Sequence, residues 1–107
     1  MGNQNGDFTM DVSSILSSAM SAPVAPERPI GCCRVYVAGF DKSLARKVAA
    51  AAKTVGLSYQ AKTYYGARNA IYVAYDNMDG LGLARATAIV NAFKSAGISC
   101  YRDEGAD

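Results

Sequence analysis

The sequence predicts an α+β domain in which four antiparallel strands carry two helices on one face, preceded by a flexible arm with a short helix. Three observations lead there. A strand, helix, glycine, strand pattern occurs twice after residue 32, each helical stretch has an apolar face behind a capping residue, and the first 31 residues are rich in Gly, Asn, Ser and Pro. A chain of 107 residues holds one hydrophobic core and is too short for two ordinary domains. The organisation read from this is an arm and linker over 1–31, a folded domain over 32–102 and an acidic tail over 103–107.

Within the arm, Pro23, Pro26 and Pro29 recur at regular intervals and mark a linker. Ahead of them Val12, Ile15, Leu16, Ala19 and Met20 fall at helical spacing behind Asp11, a good N-cap, which predicts a helix over 11–20. Alone it is too short to be stable in water. Its apolar stripe must dock on its own domain, on a second copy or on a partner. A second copy is the simplest surface, so a homo-oligomer joined through residues 11–20 is expected.

The repeat is visible residue by residue. Val35-Tyr36-Val37-Ala38 followed by Phe40-Asp41 is echoed by Ile71-Tyr72-Val73-Ala74 followed by Tyr75-Asp76. Leu44-Ala45-Arg46 is echoed by Leu83-Ala84-Arg85, and Gly56-Leu57-Ser58-Tyr59 by Gly97-Ile98-Ser99-Cys100-Tyr101. The first helix starts after Asp41, with Leu44, Val48, Ala51 and Val55 on one face, Lys42, Arg46 and Lys53 on the other, and Gly56 as its stop. The second starts near Leu81, ends before Gly97 and gathers Ala86, Ile89, Val90, Phe93 and Ala96 on its buried face. Asp76-Asn77-Met78-Asp79-Gly80 lacks the remaining ligands of a calcium loop and reads as a turn with an N-cap. Two such units joined by a hairpin at Tyr65-Gly66-Ala67 give a ferredoxin-like βαββαβ arrangement, with both helices on one side and the other face of the sheet bare.

Side chains alternate along a strand, so the phase that serves the helices fixes what lies on the bare face. Val35 and Val37 suit the core and send Arg34, Tyr36 and Ala38 outward. Ile71, Val73 and Tyr75 suit the core and send Arg68, Ala70, Tyr72 and Ala74 outward. The outer strands add Gln60, Lys62 and Tyr64, and Ser99 and Tyr101. Tyrosines set among Arg and Lys can stack bases while neutralising the neighbouring phosphates, a combination suited to a single strand. The candidate nucleic-acid-binding residues are therefore Arg34, Tyr36, Lys62, Tyr64, Arg68, Tyr72 and Tyr101.

Charge supports a polyanion partner. Between Arg28 and Arg102 stand eleven basic residues against the three acids Asp41, Asp76 and Asp79, a net +8 within a chain of formal charge +2. The acidic end, Asp103-Glu104-Gly105-Ala106-Asp107, is expected to be a solvated tail, the alternative being a lure for a basic partner or a mimic of the nucleic acid. Cys32, Cys33 and Cys100 have neither metal-ligand spacing nor an even disulfide framework, which fits a reducing cytoplasm. With no histidine in the chain and no acid pair supported by spacing, neither an enzyme nor a bound cofactor or metal is expected. No secretory signal and no membrane span are read.

These residues resemble the RNA recognition motif. Val35-Tyr36-Val37-Ala38-Gly39-Phe40 is similar to its first-strand signature. On the third strand Arg68, Tyr72, Val73 and Tyr75 fit its octapeptide, while Asn69, Ala70 and Ile71 replace the glycine, first aromatic and small residue of that pattern. The resemblance covers residues 34 to 102 and implies roles in base stacking and phosphate contact for Tyr36, Tyr72 and Arg68 only. In its size, its polar arm and its Tyr-Val-Ala strands the whole chain also resembles small phage proteins that bind single-stranded DNA as cofactors of RNA polymerase. That resemblance implies single-stranded DNA and RNA polymerase as partners. The alternative reading is a protein-interaction module, such as a phage regulator or inhibitor of a host enzyme, with the tyrosine face as its interface.

Overall fold

A computed structural model describes residues 11–29 and 31–106. Residues 1–10 of the expected arm lie outside the described residues, as does Asp107 of the expected tail. In chain order the elements are helix α1 (Val12–Ser21), strand β1 (Cys32–Ala38), a 3-10 turn (Lys42–Leu44) leading into helix α2 (Ala45–Thr54), strand β2 (Ser58–Lys62), strand β3 (Arg68–Asn77), helix α3 (Leu81–Ser95) and strand β4 (Tyr101–Ala106). The strands form one antiparallel sheet in the order β2-β3-β1-β4. Over the described residues the fold is thus α+β, with a four-stranded antiparallel sheet and three α-helices.

Two helix starts are capped by aspartates, whereas Asp11, the expected cap of α1, accepts no backbone N–H through its side chain. Asp41 accepts the Ser43 N–H at 2.9 Å and opens the turn into α2, whose Val48, Ala51 and Ala52 are buried while Arg46 and Lys53 stay exposed. Asp76, at 1% exposure, accepts the N–H groups of Gly80 and Leu83, each at 3.1 Å, at the start of α3. Burial pushes this carboxyl up, but N–H donors from Leu83, Gly80, Met78 and Gly82 outweigh that and hold it below the ordinary aspartate value. The turn-and-cap reading of 76–80 is what the chain adopts.

Helices α2 and α3 pack on the sheet face carrying Cys33, Val35, Val37 and Ile71, and α1 packs on α2 and α3. Val12, Ile15, Leu16 and Ala19 are all buried there. The expected homo-oligomer joined through residues 11–20 thereby loses its basis. The stripe assigned to a neighbouring subunit is covered by the chain's own helices, so it requires no second copy.

The linker is fastened as well. Glu27 accepts from Arg102 and from Thr87, each at 2.6 Å, and its N–H donates to the Gly80 carbonyl at 3.0 Å. A side chain at Gly80 would collide with the Glu27 carbonyl, so the linker passes closely over that left-handed turn. The hydroxyl of Thr87 and the guanidinium of Arg102 keep the Glu27 carboxyl below its usual value.

Two strands depart from expectation. The last strand begins at Tyr101 and continues to Ala106, so residues 103–106 form part of a sheet edge and not a tail. The register explains this, because β4 must run from Tyr101 opposite Ala38 to Ala106 opposite Cys33 to pair the length of β1. Its acids are engaged: Glu104 pairs with Arg102 at 3.0 Å, and Asp103 accepts from Thr63 at 2.8 Å. Ser99, expected to face outward from this strand, is exposed but lies before it.

In β3 the alternation breaks. Val35 pairs with Ala74, whereas the next residue, Tyr36, pairs with Tyr72, leaving Val73 as an extra residue in a bulge. Beyond the bulge the phase is reversed. Ala74 packs against the helix-side core and Tyr75 opposes Arg34 as an exposed side chain, the opposite of strict alternation.

Candidate nucleic-acid interface

The sheet face away from the helices carries Arg34, Tyr36 and Ala38 from β1, with Tyr72 and Ala70 beside them on β3, as the alternation predicts. It is not bare. Tyr36 is only 2% exposed, and Ala38 and Ala70 are fully buried. The cover is the turn between β2 and β3, which folds back over the sheet and brings Tyr65 and Ala67 onto this small second cluster. The Tyr65 ring meets Tyr36 edge to face at 6.1 Å and lies over Gly105, where an added Cβ would come within 3.0 Å of it. Tyr72 is half-buried, its ring 5.2 Å from that of Tyr36.

Tyr36 is therefore corrected from a stacking surface to a buried residue. A base needs an open ring face, and the turn occupies this one. The sequence showed a hairpin at 65–67 but held no signal for the direction in which it folds.

The exposed aromatic rings lie around that cover. Tyr64, at the apex of the turn and not on β2 as expected, is 65% exposed, and the guanidinium of Arg34 stacks 3.8 Å from its ring centre. Tyr75 is 49% exposed and directly opposite Arg34 across the β1–β3 pair. Arg34 thus stacks on one exposed tyrosine and is the cross-strand neighbour of another from a different segment. Lys62 and Arg68 are exposed and paired with each other where β2 meets β3. Tyr101, also 49% exposed, opposes Ala38 and sits against Gly39, whose φ of +82° and missing side chain make room for the ring.

Of the seven residues expected to bind, Arg34, Lys62, Tyr64, Arg68 and Tyr101 present at least part of their surface on this side, Tyr72 does so in part, and Tyr36 does not. Tyr75 was missed, and nothing in the local sequence marks Val73 as the bulge that turns it outward. Tyr65 and Thr63, which build the cover, were missed too. The only acid of β4 on this face, Asp103, is bound by the Thr63 hydroxyl.

The cysteines lie elsewhere. Cys33 and Cys100 are buried, and burial pushes the Cys100 thiol up to about 11 despite nearby Lys94, which makes it a poor nucleophile. Among the described residues there is no group of three or more His, Cys, Asp or Glu side chains that could hold a metal ion, and no helix long and apolar enough to cross a membrane. No protein-family profile, curated protein or solved structure matches the chain.

Proposed function

We propose that the protein binds single-stranded nucleic acid, DNA foremost, on the outer face of its sheet, without catalysing a reaction. The observation that carries this reading is Arg34 stacked on the exposed ring of Tyr64 and paired across the strands with the exposed Tyr75. Exposed aromatic surface can take stacked bases, and Arg34 with Lys62 and Arg68 supplies cations for the phosphates alongside. A duplex keeps its bases stacked on one another and offers no such faces.

We read the element order after α1 and the strand order β2-β3-β1-β4 as a ferredoxin-like βαββαβ arrangement, with α1 added over the helix layer. Likeness to the RNA recognition motif is supported by Arg68 and Tyr72 and weakened by the burial of Tyr36. In the setting implied by the phage cofactors, the protein would act in the host cytoplasm beside an RNA polymerase, holding the separated strand.

The test is fluorescence anisotropy with labelled oligo(dT), a matched duplex and a matched RNA. Affinity for the single strand should fall steeply with salt, and Tyr64→Ala and Tyr75→Ala should each cost about 1–3 kcal/mol if bases stack there. Unchanged affinity in both variants overturns the site.

A second reading, a protein-interaction module, draws on Met78 and Leu81, which are exposed beyond Tyr75 at the end of β3 and the start of α3. A stoichiometric partner recovered from nuclease-treated lysate by a protein that retards no oligonucleotide would favour it.

A further inference from the structure

We propose that Tyr36, Thr63 and Tyr65 are positioning residues, whose hydroxyls lock the turn between β2 and β3 onto the sheet so that the Tyr64 ring is presented against Arg34. This inference rests on the binding reading given above. It assigns to Tyr36 a task different from the base stacking its strand position suggested.

The turn spans residues 63–67, closed by the Thr63 N–H to the Ala67 carbonyl at 2.7 Å, with Gly66 at φ +96°. Three hydroxyls hold it. That of Thr63, 5% exposed, donates to Asp103 at 2.8 Å and accepts the N–H groups of Tyr65 at 3.2 Å and Ala67 at 3.0 Å. One donor and two acceptor sites are all a hydroxyl has, so Thr63 is fully used. That of Tyr36 accepts the N–H of Tyr64 at 3.1 Å. That of Tyr65 donates to the Gly105 carbonyl at 2.6 Å and accepts the Arg34 N–H at 3.1 Å, bridging residues that face each other across β1 and β4.

The residue before Tyr64, the residue after it and its own amide are each anchored, yet its side chain is the most exposed large apolar group described. Burial of Tyr64 therefore contributes little to explaining the arrangement. What the anchors determine is the place of its ring, which is stacked by Arg34 on one side and met edge-on by Tyr65 at 5.3 Å. A ring held in place before the ligand arrives loses less freedom on binding than one on a loose turn.

The experiment measures oligo(dT) affinity for the full chain carrying Tyr36→Phe, Thr63→Val or Tyr65→Phe, each alone and with Tyr64→Ala. Each change removes a hydroxyl and keeps the shape of the side chain. The expected result is a roughly three- to tenfold weaker affinity in the native background and no further loss beside Tyr64→Ala, the signature of action through that ring. Equal losses in both backgrounds, or no loss in either, overturn the inference while the binding site stands. If Tyr64→Ala alone binds as the native chain does, the role of Tyr64 in the site fails and the inference with it.

Hydrogen exchange on the native chain gives a reading independent of the variants' folding. Oligo(dT) should leave the amides of Tyr64, Tyr65 and Ala67 as slow as before or slower. Faster exchange on binding would show a turn that must open, and would overturn the positioning role.

Discussion

Arg85 on α3 donates to the carbonyl of Ala22, the residue that closes α1, at 2.7 Å, and to that of Ala19 one turn earlier at 2.5 Å. The last carbonyls of a helix have no partner within it and carry partial negative charge, so a guanidinium there both caps and attracts. Ten residues of helix would not persist alone. This latch and the buried stripe explain why α1 lies on its own domain.

Arg85→Ala is expected to cost about 1–3 kcal/mol in urea unfolding, as for hydrogen bonds from a charged donor. Leu16→Ala, which empties a fully buried position under α1, is expected to cost about 2–5 kcal/mol. Removing residues 1–22 uncovers the apolar faces of α2 and α3 beneath α1, so light scattering should show self-association in the shortened chain and not in the full one. Association of the full chain that ends on truncation would revive the oligomer arm.

Asp76 should make the fold acid-sensitive. Its carboxyl titrates below the ordinary aspartate value in the folded chain, so its contribution is present above the unfolded pKa, about 3.9, and is lost as pH falls through the lower folded value. Asp76→Asn keeps the shape but loses the charge that accepts the α3 amides, and should cost about 1–3 kcal/mol at neutral pH. Stability followed from pH 7 to pH 2 should then fall less steeply in the variant than in the native chain. Parallel curves would mean that other carboxylates, Glu27 among them, carry the acid response.

The bulge at Val73 reverses what substitutions on β3 should do. Tyr75→Ser removes an exposed ring and should change stability by no more than about 0.5 kcal/mol, whereas Ala74→Asp places a charge against the core and should cost several kcal/mol, on the order of 3. Without the bulge the order would be the opposite. Thermal melts of the two variants decide it.

Tyr36→Ala and Tyr64→Ala should separate stability from binding. The first empties a buried aromatic site and should cost about 3–5 kcal/mol of stability, while the second should leave the melting temperature nearly unchanged and weaken oligo(dT) binding. Comparable melting losses in both would mean that the turn is part of the core.

Several elements were legible because their signals are local. Asp41 and the turn-and-cap run over 76–80 mark helix starts, the stripe Val12, Ile15, Leu16, Ala19 predicts a helix that forms over Val12–Ser21, and Val35 and Val37 identify the core face of β1. Tyr75 and the acidic end were misread for one shared reason. Both depend on register, one through a bulge between paired strands and the other through the length of β1 that β4 must match.

What the sequence determined by itself is the set of elements and the chemistry available to one sheet face, because repeat, caps and periodicity act between residues a few positions apart. Tertiary structure alone decided which tyrosines remain exposed. A turn whose own residues permit either direction folds inward because Asp103, Gly105 and Tyr36, distant in sequence, supply the acceptors and the space for Thr63, Tyr64 and Tyr65. It likewise decided that α1 is a layer of the domain and not a free arm, since the carbonyls of Ala19 and Ala22 find their donor more than sixty residues along the chain, on Arg85.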